Sequence, residues 1–463
     1  MAANPGLAAI VGCVLLVGCA AQQYRAAPLS ADAAAAAFEA RSLADPGLRA
    51  FEERCLGHAI EQWPPAEWDL RTLSLAGYYF NPEIEAARAR SAEAKAAAET
   101  AAARPNPSFV IVPGIPSPYL LTLDLSVPVQ TAGKRGHRIQ AARSLDRAAR
   151  LDLAESAWRI RSALRAALVD YLAASRVLDL LHAEAGIRER QLEVLQRASS
   201  AGEIARPAVL AARAELSQTR AALGAAEEAV AVARAALAAA IGIPAAALAE
   251  RRIVWPDMDR PPDTGTLELA GIRRDAVLNR LDVRGALALY AAAEADLQLE
   301  IAKQYPDFNL GPGYSYEERQ SYFTVGLSAS IPLFDRNRGP IAEAEARRRK
   351  AAAAFVATQA DAILQSERTL AVYRVALAGL AEAQHFADLQ ADQHEDVLQA
   401  VRAGERDGLD LDEIEIQGVV AARARLDALA HAQRALGELE DAVERPLIPG
   451  DELPAADALD PAG

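Results

Sequence analysis

Aromatic side chains make up only 5% of this chain of 463 residues, so it does not build a bulky globular core. Abundant alanine and a 52% hydrophobic content point instead to long, closely packed helices. Catalytic signatures are missing as well. There is no CxxC, HExxH, GxSxG or phosphate-binding glycine loop. The histidines (His58, His137, His182, His385, His394 and His431) show no metal-ligand spacing. Neither an enzyme nor a resident metal or cofactor is expected. Basic charge is in deficit, 49 Lys and Arg against 63 Asp and Glu, and the net charge of −14 argues against a nucleic-acid partner. The apolar run Leu7 to Gly18 is too short to cross a bilayer as a helix. Proline is absent from two long stretches, 129–206 and 341–445, so nothing there breaks a helix.

What is present is a repeated alternation of period two. In Tyr305 to Gly339, Phe308, Leu310, Tyr314 and Tyr316 share one face, and Asn309, Gly311, Gly313 and Ser315 the other. After a polar turn, Phe323, Val325, Leu327, Ala329, Ile331 and Leu333 alternate with Thr324, Gly326, Ser328 and Ser330. Such a pattern predicts paired strands with one apolar face and one small, polar face, each long enough to cross a bilayer when tilted. Asn106 to Arg138 repeats it: Tyr119, Leu121, Leu123, Leu125, Val127 and Val129 alternate with Thr122, Asp124, Ser126 and Gln130. Pro107-Ser108-Phe109 answers Pro306-Asp307-Phe308, and Arg135-Gly136 answers Arg338-Gly339. The chain is a tandem duplication of two strands and long helices.

The helices follow the strands. In 129–206, Leu153, Ala157, Ile160, Leu164, Ala167, Tyr171, Ala174, Leu178, Leu181, Ala185, Leu192 and Leu195 step by fours and threes, a coiled-coil seam. A turn at Ser199 to Gly202 leads to a return helix with Val209, Leu216, Leu223, Val230 and Leu237 every seventh residue. Gly242-Ile243-Pro244 ends it. The second half carries Val356, Ile363, Leu370 and Leu377, turns at Gly404, and returns through Leu429, Leu436 and Val443. At the start, Leu16-Val17-Gly18-Cys19 resembles a bacterial lipobox, although the preceding residues carry no Lys or Arg. Cleavage before Cys19 would make that cysteine the lipidation site and leave Cys55 unpaired. The expected boundaries are a signal peptide at 1–18, a lipid-anchored tether at 19–68 and a first repeat at 69–250. A linker at 251–266, a second repeat at 267–445 and a disordered tail at 446–463 complete the chain.

The duplicated plan, the NPEI start of the approach helix, GKRGHRI after the second strand, PLFDRNRGPIAEAEA after the fourth and the two helix-turn glycines resemble the TolC-like outer-membrane efflux family. The strand-exit motifs look nearest its heavy-metal and cation (CzcC-like) branch. The resemblance covers residues 69–445. It implies a mainly α fold with a β-barrel portion: a homotrimer whose twelve-stranded transmembrane barrel continues into a periplasmic α-helical coiled-coil barrel. It also implies a place in the outer membrane, a periplasmic adaptor and an inner-membrane pump of RND type. The expected function is a passive exit duct; the alternative is a periplasmic coiled-coil lipoprotein, a tether without a pore.

On that resemblance Asp410 and Glu413, six and nine residues past Gly404, are placed at a periplasmic aperture with Arg406 and Asp407. The turns at Gly202, Glu203, Gly404 and Glu405 are placed against the adaptor. The plain alternative is a solvated helix start, where acidic residues favour the positive end of the helix dipole. Lys134, Arg135, Arg138, Arg336 and Arg338 gather where strands become helices, and a basic strand exit without a transport role is the simpler expectation for them.

Overall fold

The computed structural model describes residues 24–114, 120–249, 251–263, 265 and 268–448. The expected signal peptide, Cys19, Tyr119 and the tail from 449 onward lie outside the described residues. The chain divides into two compact units, 1–41 and 42–463. In the first, helix α1 (Ala31–Glu39) is capped by Ser30, whose hydroxyl accepts from Ala33 N–H at 3.4 Å.

The second unit begins with α2 (Pro46–Leu56), where Pro46 starts the helix and Asp45 caps it. Leu43, Leu48 and Phe51 are fully buried in the main core. Within the expected tether, residues 43–56 pack against the core and 57–62 are mostly exposed. The apolar face of α2 spans so few turns that sequence periodicity misses it. A short parallel pairing of β1 (Glu67–Trp68) with β4 (Arg252–Ile253) then ties this segment to the expected linker. Helix α3 (Leu70–Phe80) starts at a capping box formed by Asp69 and Thr72. Asn81 caps α4 (Pro82–Ala102), accepting from Glu83 N–H at 2.9 Å, and its amide donates to Ala240 O at 3.0 Å.

Strands β2 (Ser108–Pro113) and β3 (Leu120–Val129) deliver the chain to α5 (Lys134–Ser200), whose 67 residues make it about 100 Å long. Helix α6 (Arg206–Ile241) returns. The second repeat runs α7 (Leu269–Leu278), α8 (Leu281–Ala302), β5 (Phe308–Glu317), β6 (Gln320–Ala329), α9 (Arg338–Arg402) and α10 (Gly408–Val443). Ile331 and Leu333, expected in the fourth strand, lie beyond its end at Ala329.

All four long strands form one antiparallel sheet in the order β2-β3-β5-β6. Register aligns Ile111, Leu123, Tyr314 and Phe323 in one row and Val127, Leu310 and Leu327 in another, so the apolar residues share a face as expected. That face is bare: Phe323, Val325 and Leu327 are 85%, 80% and 69% exposed. Among the described residues of the second unit, no helix covers it.

Helix α5 packs against α4, α6, α8 and α10, and α9 packs against α8 and α10. Midway along α5 the repeats meet in a buried charged cluster. Glu440 accepts from Arg161 at 3.2 Å and lies 3.3 Å from Arg165 Nε, with all three side chains almost wholly buried. Arg165 also donates to Gln433 Oε1 at 2.8 Å, and its guanidinium lies 5.1 Å from the centroid of the Trp255 ring. Trp158 and Ser162 donate to Asp441 at 2.9 and 2.6 Å. Trp255 and Met258, in the expected linker, are core residues here. Leu447 and Ile448, at the end of the described residues, pack against the core.

Candidate functional site

Two regions could carry function, the helix turns and the sheet. The two turns are built alike. Gly202 and Gly404 sit at φ of +81° and +77°, the left-handed region where a side chain is strained. Gly202 N–H donates to Ser199 O and Glu203 N–H to Ala198 O; Gly404 donates to Val401 O and Glu405 to Ala400 O, all between 2.9 and 3.1 Å. These bonds satisfy the last carbonyls of α5 and α9 and reverse the chain within a few residues. Gly202, Glu203, Gly404 and Glu405 are exposed, with no methyl-sized obstruction at either glycine.

Asp407 proves to be the cap of α10, accepting from Leu409 N–H at 2.9 Å and Asp410 N–H at 3.0 Å. That capping satisfies two of the free N–H groups at the start of the helix. Asp410 and Glu413 are exposed one turn apart on α10, and Glu413 accepts from Gln417 at 3.2 Å. Arg406 is exposed as well, and neither it nor Asp410 has an ion-pair partner among the described residues. The neighbouring acids differ. Asp412 turns inward to Arg190 of α5 at 3.4 Å, and Glu415 accepts from the same guanidinium at 2.6 Å. Burial pushes the Asp412 carboxyl up, while Arg190 pulls it back down. Sequence reasoning missed this link, because Arg190 lies in the other repeat. The first turn has no acidic counterpart to Asp410 and Glu413, which leaves the pair of turns asymmetric.

The basic residues at the strand exits resolve mostly in favour of structure. Arg135 donates to Ala102 O at 3.0 and 2.6 Å, and Arg138 donates to Ala101 O at 2.9 Å, so both cap the C-terminus of α4. Lys134, nearly buried, donates to Asp307 at 2.7 Å and Tyr305 O at 2.6 Å, joining the two strand junctions. Asp307 is held below the usual carboxylate range by Lys134 and Thr131, against the effect of burial. Arg336 and Arg338 remain exposed. Among the described residues no group of three His, Cys, Asp or Glu is placed to hold a metal ion, and no helix is long and apolar enough to cross a membrane. The bare sheet face is the lipid-compatible surface.

Residues 272–443 match the outer membrane efflux protein family. Among solved structures, the chain is similar to VceC of Vibrio cholerae, with 20% identity, 81% of this chain and 95% of that one covered, and a TM-score of 0.63. It is similar also to CusC, with 16% identity, coverage of 92% and 99%, and a TM-score of 0.64. The second repeat therefore resembles the outer membrane efflux proteins in sequence, and the chain shares the fold of VceC and CusC. That shared fold accounts for the sheet and the long helices together. A curated relative, the cobalt-zinc-cadmium resistance protein CzcC of Cupriavidus metallidurans, is 26% identical over 240 residues. That match spans 51% of this chain and about half the length of the relative, 56%. The family is one of outer-membrane channels with a transport function.

Proposed function

We propose that the chain is the outer-membrane exit duct of a tripartite efflux system and conducts its cargo passively. One observation carries this reading: the sheet has an exposed apolar face and two unpaired edges, β2 and β6. An open edge cannot stand in lipid, because its N–H and C=O groups would lack partners. Copies of the chain must pair β2 of one with β6 of the next. Two copies would give eight strands, a barrel filled by its own side chains, whereas three give twelve and an open lumen. The glycines and serines of the polar face suit a lumen. A homotrimer follows, with the helices extending the passage into the periplasm.

In this reading Asp410 and Glu413 ring the periplasmic aperture, with Arg406 beside them, and the Gly202 and Gly404 turns meet a periplasmic adaptor. Energy comes from an inner-membrane pump of RND type. Similarity to a cobalt-zinc-cadmium resistance protein favours heavy-metal cations as cargo. Cys19 is the proposed lipid anchor in the outer membrane. The test is the purified protein in planar bilayers. Detergent-dependent trimers that open ion channels are expected; a detergent-free monomer without conductance would mean a periplasmic tether instead. Replacing Asp410 and Glu413 with Ala is expected to weaken block by multivalent cations added from the periplasmic side, and unchanged block would remove both from the aperture.

A further inference from the structure

We propose that Asp124 makes the interior of the barrel cation-selective, an inference that rests on the duct reading above. Asp124 lies in the middle of β3 on the polar face of the sheet. Register sets it opposite Gly313 of β5, and Gly313 opposite Thr324 of β6. A methyl group at Gly313 would overlap both Asp124 Oδ1 and Thr324 Oγ1. A carboxylate and a hydroxyl from strands two apart therefore lean into the one space that the glycine leaves.

The carboxylate is free to act on solute. Asp124 is exposed and has no hydrogen-bond or ion-pair partner among the described residues. The strands bring no Lys or Arg to this face. Glu317 shares its parity but stands at the β5–β6 turn beside Arg319. Among the described residues, Asp124 is thus the one charge in the body of the polar face. In a ring of three copies, three such carboxylates lie at one level of the lumen. Oxygen donors without imidazole or thiolate suit hydrated cations, held weakly enough to pass on.

A charge ring in a wide passage acts only across about one Debye length, about 30 Å at 0.01 M salt but about 3 Å at 1 M. Reversal potentials in planar bilayers under salt gradients read this directly. Asp124→Asn is expected to lower the cation-over-anion permeability ratio about twofold or more at low salt and to leave it unchanged at 1 M. Thr324→Lys sets a positive charge beside Asp124 without altering it and is expected to shift the ratio further the same way, so it carries the test if the first variant fails to assemble. Channels of normal conductance whose ratio is unchanged in these variants would overturn the role of Asp124 alone. A wild-type protein that opens no channels would overturn the duct reading beneath it.

Discussion

Glu52 of α2 is fully buried, and both of its carboxylate oxygens lack a hydrogen-bond partner among the described residues. Burial pushes its carboxyl up to about 8, with repulsion from Asp69 adding to the shift. The folded chain thus holds this proton more firmly than the unfolded chain does. Stability is fully present below the unfolded value of 4.5 and falls as pH rises towards about 8, where the slope ends. Glu52→Gln is expected to remove that slope, stabilising the fold by an amount on the order of a few kcal/mol at about pH 9 and little at about pH 4. Thermal melts by far-UV circular dichroism at the two pH values check it; equal shifts at both would contradict it. The opposite case is Arg165, whose loss strands Glu440 with one arginine in the core. Arg165→Met is expected to destabilise by about 3–5 kcal/mol, read as a fall in unfolding temperature. Gly437 belongs to the same cluster, because a methyl there would press on Arg165 Nη1 at 2.6 Å.

Among the elements, the turns and helix ends rank the glycines. Gly202 and Gly404 face open space, so Ala at either adds only the backbone strain, about 1 kcal/mol. Gly242 ends α6 at φ +88°, and a methyl there would lie 2.9 Å from Asn81 Cα and 3.0 Å from Phe80 O. Gly242→Ala is expected to destabilise more than Gly202→Ala, and chemical denaturation of the two variants decides. The equivalent position in the second repeat is Glu444, left-handed at φ +47°, whose carboxylate accepts from Leu281 N–H. Burial lifts that carboxyl to about 7. Elements with a strong period were legible in the sequence: Val209, Leu216 and Leu237 are buried as the sevenfold spacing required. Val356 is not, being 61% exposed. The seam of α9 keeps Leu370 as expected but runs also through Ala362, Ser366, Thr369 and Tyr373, and the polar Ser366 and Thr369 are not selected by a hydrophobic count. At the candidate aperture, the capping bonds of Asp407 add a structural task to its expected place there. The inward turn of Asp412 depends on Arg190, 222 residues away, and no local pattern encodes such a contact.

For the whole molecule, the proposed duct requires the sheet, rather than the chain, to be the complete unit. One copy supplies the bare apolar face and two open edges, and lipid tolerates neither edge alone. Within a chain β2 and β6 are separated by two strands, about 14 Å, too far for a disulfide, whose Cα atoms lie within about 7 Å. Thiol cross-linking between those edges therefore reports only on contacts between copies. In a Cys55→Ser background, Val110→Cys and Thr324→Cys place one thiol on each edge strand, both on the polar face. Oxidation, or a short bifunctional thiol reagent, in native membranes is expected to give covalent dimers and trimers and nothing larger on a non-reducing gel. Monomer alone, from protein that is folded and in the membrane, would contradict the closure of the sheet by sister copies.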